Sequence, residues 1–108
     1  MSECLQKVYD IILQRKAHPA ENSYTCYLFE QGIDKILKKV GEETAETIVA
    51  VKNGNTTDTV NEIADLMYHL LVMMAAQGIT PEDVEAVLNE RMGITGNLKT
   101  FHKVDKNT

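Results

Sequence analysis

Apolar residues recur every three or four positions along most of this chain, and the recurrence breaks where glycine or proline intervenes. Leu5, Val8, Tyr9, Ile12 and Leu13 repeat at the interval that gathers side chains on one face, predicting an amphipathic helix from Cys4 to about Ala17. His18-Pro19 through Asn22 interrupts it. Ser23 can then cap a short helical segment, Tyr24 to Gln31, that Gly32 ends. Ile36, Leu37, Val40, Thr44, Ile48 and Val51 form a second stripe, predicting a long helix from about Ile33 to Asn53 that Gly54 closes. Gly41 lies inside this helix at a cost of about 1 kcal/mol relative to alanine, and close packing against another group is the expected reason for it.

The next helix is expected to begin near Thr57 or Asp58, either of which can accept hydrogen bonds from free backbone N–H groups, and to end before Gly78. From Ile63 to Ala76 it is apolar around most of its circumference, which requires neighbours on several sides. Met67, Met73 and Met74 read as core filling. Thr80-Pro81-Glu82-Asp83 opens a last helix, with Thr80 as cap, Pro81 at the first helical position and acids in the first turn; Gly93 stops it. No period-two run competes. The expected fold is all-α, a chain of four to five helices with a central antiparallel hairpin about Gly54.

Composition narrows the picture. A chain of 108 residues is one domain of ordinary size, and it buries only about 60–70% of its unfolded surface, so partner subunits would help. The net charge of −5 is the wrong sign for a general polyanion binder. The longest apolar run, Leu70 to Ala76, is far short of the roughly 17–25 residues that span a membrane. The N-terminus lacks the basic-then-apolar plan of a signal peptide, so a cytoplasmic location is expected. Cys4 and Cys26 are accordingly expected as free thiols packed as small apolar groups.

Two acidic pairs carry the chemistry. Glu43-Thr44-Ala45-Glu46 and Glu62-Ile63-Ala64-Asp65 each place two carboxylates one helical turn apart on one side. Folded about Gly54, Glu43 falls level with Asp65 and Glu46 with Glu62, so all four converge roughly 12 Å or more from the turn. Converging carboxylates repel and raise one another's pKa, so something positive belongs among them. An all-oxygen set suits a hard cation such as Mg²⁺. Iron is disfavoured because no Glu-x-x-His occurs, and zinc because no Cys and His cluster has tetrahedral spacing. His69 shares the stripe of Glu62 and Asp65, as a hydrogen-bond donor behind a ligating carboxylate or as a core histidine satisfied by Asp65 or backbone. Lys35, Lys38 and Lys39 stand one to two turns before Glu43, either to meet phosphates or as ordinary exposed lysines.

The stretch Asp34-Lys35-Ile36-Leu37-Lys38-Lys39-Val40-Gly41-Glu42-Glu43-Thr44-Ala45-Glu46, joined to Glu62-Ile63-Ala64-Asp65-Leu66-Met67-Tyr68-His69-Leu70-Leu71, resembles the phosphoribosyl-ATP pyrophosphohydrolases of histidine biosynthesis. The acidic pairs alone resemble the wider MazG-like all-α nucleotide pyrophosphohydrolases; the lysine run, Tyr68-His69 and Ser23-Tyr24-Thr25 narrow the likeness. The resemblance implies hydrolysis of phosphoribosyl-ATP to phosphoribosyl-AMP and pyrophosphate, with Mg²⁺ held at Glu43, Glu46, Glu62 and Asp65. It also implies Glu42 or Glu46 as acceptor of the water proton, Ser23, Tyr24 and Thr25 at the substrate, a homodimer, and a separate cyclohydrolase for the next step. It covers the chain to about Gly96, which makes residues 1–96 the hydrolase domain and 97–108 a polar tail. Thr95-Gly96-Asn97-Leu98-Lys99 departs from the Ser-Gly and Glu-Lys pairs of many members. The alternatives are a house-cleaning nucleoside triphosphate pyrophosphohydrolase using the same carboxylates and a non-enzymatic helical dimerisation module.

Overall fold

Side chains placed just ahead of each apolar stripe start four of the five helices. A computed structural model describes residues 2–93. In it, Ser2 Oγ accepts from the Leu5 N–H at 3.2 Å and opens α1, Glu3–Ala17. Ser23 does the same for α2, Tyr24–Gln31, by accepting from the Cys26 N–H. Gly32, at φ 92°, ends α2 and starts α3, Ile33–Lys52, in a backbone conformation that side chains disfavour. Asn55 opens α4, Thr56–Gln77, with its side-chain oxygen 3.0 Å from the Asp58 N–H. The expected caps, Thr57 and Asp58, therefore lie inside the helix: the short Asn side chain stands three residues ahead of the donor it satisfies. Thr80 and Asp83 exchange side-chain and backbone hydrogen bonds in a capping box at the head of α5, Pro81–Met92. These five helices, with no strand among the described residues, make the fold all-α. The tail at 97–108 lies outside the described residues.

α3 and α4 form the central hairpin and pack on each other more extensively than any other pair, while α1 covers α4 and α2 lies on α3. The core gathers Tyr9 and Ile12 of α1, Leu28 of α2, Ile36 of α3, and Leu71, Val72, Met74 and Ala75 of α4. It lies at the open end of the hairpin. Toward the Gly54 turn only α3 and α4 remain among the described residues, so within a single chain the apolar faces there are open. Ile48 and Val60 are each 59% exposed, and Val51, Ile63 and Met67 are also exposed. Among the described residues, no third element covers these faces. Gly41 also differs from expectation: a Cβ there meets nothing within 4 Å. Both cysteines are free, with Cys4 exposed rather than packed and Cys26 half-buried. α5 is held lightly, through the buried Pro81 and a 2.6 Å hydrogen bond donated by the Tyr9 hydroxyl to the Ile79 carbonyl. No single helix among the described residues is long and apolar enough to cross a membrane.

Candidate active site

The hairpin brings three of the four predicted acids to one point. Glu43 on α3 and Glu62 and Asp65 on α4 each offer a carboxylate oxygen, and these oxygens lie within 4.8 Å of one another. Glu43 is buried, Glu62 half-buried and Asp65 exposed. Glu46, one turn along from Glu43, meets the Glu62 carboxyl. Hydrogen bonding with Glu46, then burial, then hydrogen bonding with Glu43 push the Glu62 pKa up to about 7. With the carboxylates ionised, two oxygens of this cluster, Glu43 Oε2 and Glu62 Oε2, are buried with no donor facing them. Such orphaned acceptors are rare in folded proteins because losing water uncompensated is costly.

One cation stands at the edge of the cluster. Lys39 Nζ lies 3.7 Å from Glu43 Oε1, an i,i+4 pair on α3. Burial works against the lysine's charge, but Tyr24, Glu42, Glu43 and Glu46 outweigh it and raise the Lys39 pKa. Lys35 points elsewhere, with Nζ 5.9 Å from the centre of the Tyr27 ring, and Lys38 and Glu42 are exposed.

α2 closes the other side through aromatic contacts. His69 is buried, and its Nδ1 lies 2.7 Å from the Asp65 backbone carbonyl, not from the Asp65 carboxylate. A carbonyl only accepts, so Nδ1 donates, and in the neutral ring Nε2 is left to accept the Tyr24 hydroxyl at 2.9 Å. The Tyr24 ring stacks on Tyr27 and Tyr68, and the Tyr68 hydroxyl bonds to Thr25. Burial raises the pKa of both Tyr24 and Tyr68, keeping their hydroxyls protonated. The three residues Ser23-Tyr24-Thr25 thus have separate local tasks: a helix cap, a bond to His69 and a bond to Tyr68. Tyr27 and Tyr68 were not singled out as contacts of this region. The three-residue step from Tyr24 to Tyr27, which puts both rings on one face of α2, is the signal that points to the first.

A family model described as phosphoribosyl-ATP pyrophosphohydrolase matches residues 5–92. The chain belongs to this family. Relatives within and around it agree. A phosphoribosyl-ATP pyrophosphatase of Streptococcus thermophilus is 52% identical over 94 residues, covering 87% of this chain and 90% of that protein. Another, from Clostridium novyi, is 50% identical over 97 residues, covering 90% and 88%. A histidine biosynthesis bifunctional protein HisIE of Thermoanaerobacter pseudethanolicus is 57% identical over 83 residues, 77% of this chain but 38% of that longer protein. Family membership accords with the acidic pairs, the lysine run and the Ser-Tyr-Thr segment, all of which fall inside the matched residues.

Proposed function

We propose that this chain hydrolyses phosphoribosyl-ATP between its α and β phosphates, releasing pyrophosphate and phosphoribosyl-AMP in histidine biosynthesis, with Mg²⁺ held by Glu43, Glu62, Asp65 and Glu46. The observation that carries the metal assignment is the pair of buried, unpartnered oxygens on Glu43 and Glu62. A hard divalent cation supplies what those acceptors lack, and an all-carboxylate set with room for phosphate oxygens suits magnesium. Bound there, the ion would offset the charge that grows on departing pyrophosphate.

The chain's own residues divide the remaining work. Lys39, already beside Glu43, presents positive charge where the triphosphate must approach, with Lys38 exposed next to it in sequence and Lys35 over the Tyr27 ring. Glu46 and Glu42 are the acceptors offered to the proton of the attacking water; Glu46 adjoins Glu62, and Glu42 is exposed one turn earlier. The His69 ring fixes the Asp65 turn from behind through the backbone, so Tyr24 on α2 supports the ligand wall on α4. Tyr24 and Thr25 contact α4 and Ser23 caps their helix, and the three together form the substrate-contacting segment. A second copy of the chain, laid across Ile48, Val51, Val60 and Ile63, completes the bundle. A separate cyclohydrolase activity would consume the product.

The test is pyrophosphate release from phosphoribosyl-ATP. Turnover is expected in Mg²⁺ and is expected to vanish in excess chelator and in Glu62→Gln. Full turnover with the chelator would overturn the metal assignment, and preference for deoxynucleoside triphosphates would overturn the substrate.

A further inference from the structure

We propose that the cavity between the end of α1 and α2 receives the phosphoribosyl end of the substrate, with the Arg15 guanidinium binding its 5′-phosphate. This assignment rests on the substrate named above and adds the means by which it is told from ATP. Phosphoribosyl-ATP has two anionic ends on opposite sides of one purine: a triphosphate and a ribose 5-phosphate. A site that reads only the triphosphate end treats it and ATP alike.

Neighbouring side chains link two places that suit those ends. At one end Lys39 stands beside Glu43. The Tyr24 ring follows, stacked on Tyr27 with centroids 6.1 Å apart and planes inclined by 25°. These rings are 45% and 42% exposed, so aromatic surface is open to a flat base. Tyr27 is also a wall of a cavity of about 690 Å³, a volume typical of small-molecule sites. Arg15, Lys16, Ser23 and Cys26 share that wall.

Of the two cations that line the cavity, Arg15 is the one open to a phosphate. Lys16 is engaged, with Nζ 3.0 Å from the Ala75 carbonyl and 5.9 Å from the Phe29 ring centre. Arg15 has no ion pair among the described residues, and its planar fork matches a phosphate. The Cys26 thiol on this wall has its pKa lowered chiefly by hydrogen bonding with Ser23 and the Ala20 N–H, against burial, with Arg15 a smaller contributor. Glu21 and Glu30 also line the cavity, and their carboxylates are acceptors for ribose hydroxyls, which donate.

Steady-state kinetics of the full chain with Mg²⁺ test this. In Arg15→Gln the KM for phosphoribosyl-ATP should rise about tenfold to a hundredfold with kcat little changed. Inhibition by AMP, which has no second phosphate end, should be unaltered, and Arg15→Lys should recover part of the loss. A KM within twofold of the parent, or AMP inhibition weakened in the same proportion, overturns the assignment. The parent protein supplies a second measurement that does not depend on a folded variant: ribose 5-phosphate and AMP should inhibit together without excluding each other. Mutually exclusive inhibition overturns it. Absence of parent turnover on phosphoribosyl-ATP overturns the proposed function and this assignment together; normal parent turnover with an unchanged Arg15→Gln overturns this assignment alone.

Discussion

The Tyr24 hydroxyl lies 2.9 Å from His69 Nε2, and the opposite nitrogen of that ring lies 2.7 Å from the Asp65 carbonyl. One buried imidazole therefore ties α2 to the turn of α4 that carries an acid of the candidate site. Neither bond is interchangeable with water, because the ring is enclosed.

Replacing Tyr24 with Phe keeps the ring and removes the donor. His69 Nε2 is then an unsatisfied acceptor in a buried ring, which costs about 1–3 kcal/mol. Urea denaturation at neutral pH should show a lower midpoint with an unchanged slope. An unchanged midpoint would mean that the tie contributes nothing to folding.

Crowding of the carboxylates sets a pH dependence with a definite sign. The Glu62 pKa is raised from 4.5 to about 7 in the fold, chiefly by hydrogen bonding with Glu46. The folded state therefore holds this proton more tightly than the unfolded state. Its stabilising contribution is complete below about pH 4.5 and is lost as pH rises through about 7. Metal-free protein should accordingly lose melting temperature from this group between those values, and Glu62→Gln should flatten that part of the profile. Mg²⁺ should raise the melting temperature more at pH 8 than at pH 6, because the proton competes with the ion. Equal stabilisation at both pH values would count against Glu62 as a ligand.

Gly41 lies within α3 immediately before Glu42 and Glu43, yet a Cβ added there meets nothing within 4 Å among the described residues. Gly41→Ala should therefore stabilise the protein by about 0.5–1 kcal/mol through helix propensity. Thermal denaturation reads this directly. Stabilisation accompanied by a raised KM would show that substrate, rather than the protein, requires the missing side chain.

The hairpin and its acids are legible in sequence for a geometric reason. Glu43 and Asp65 lie equally far from Gly54, as do Glu46 and Glu62, and helical spacing then brings the pairs level. The Tyr24–His69 bond is not legible, because it joins residues 45 positions apart in sequence through the relative placement of α2 and α4. The same holds for the cavity beside Arg15, whose walls come from the end of α1, the loop and α2. Periodicity also marks which residues favour burial without saying what buries them, which is why Ile48 and Val51 share a predicted stripe but stand exposed.

Local signals can mislead by two or three residues where several caps compete. Asn55, Thr57 and Asp58 are all plausible N-caps, and the structure uses Asn55. Asn55→Ala should cost about 1 kcal/mol, whereas Thr57→Ala, inside the first turn, should stay within about 0.5 kcal/mol of the parent. Chemical denaturation of the two variants distinguishes the assignments, and a larger loss for Thr57→Ala would reverse them.

The exposed strip at the closed end of the hairpin gives the sharpest test of the proposed dimer. Ile48 on α3 and Val60 on α4 are each 59% exposed in a single chain. A charge placed there costs the isolated chain little, since the side chain already faces water. Across an interface the same charge would be stripped of water without a partner and would oppose association. The parent chain should sediment at twice its mass of 12.1 kDa, and Val60→Glu should sediment as a monomer that retains its helical circular dichroism. The variant should also melt at a lower temperature than the parent, with a melting point that no longer rises with protein concentration, because association stabilises only the folded parent. A variant that remains dimeric would place the interface elsewhere on the helices, and a monomeric parent would refute the dimer itself.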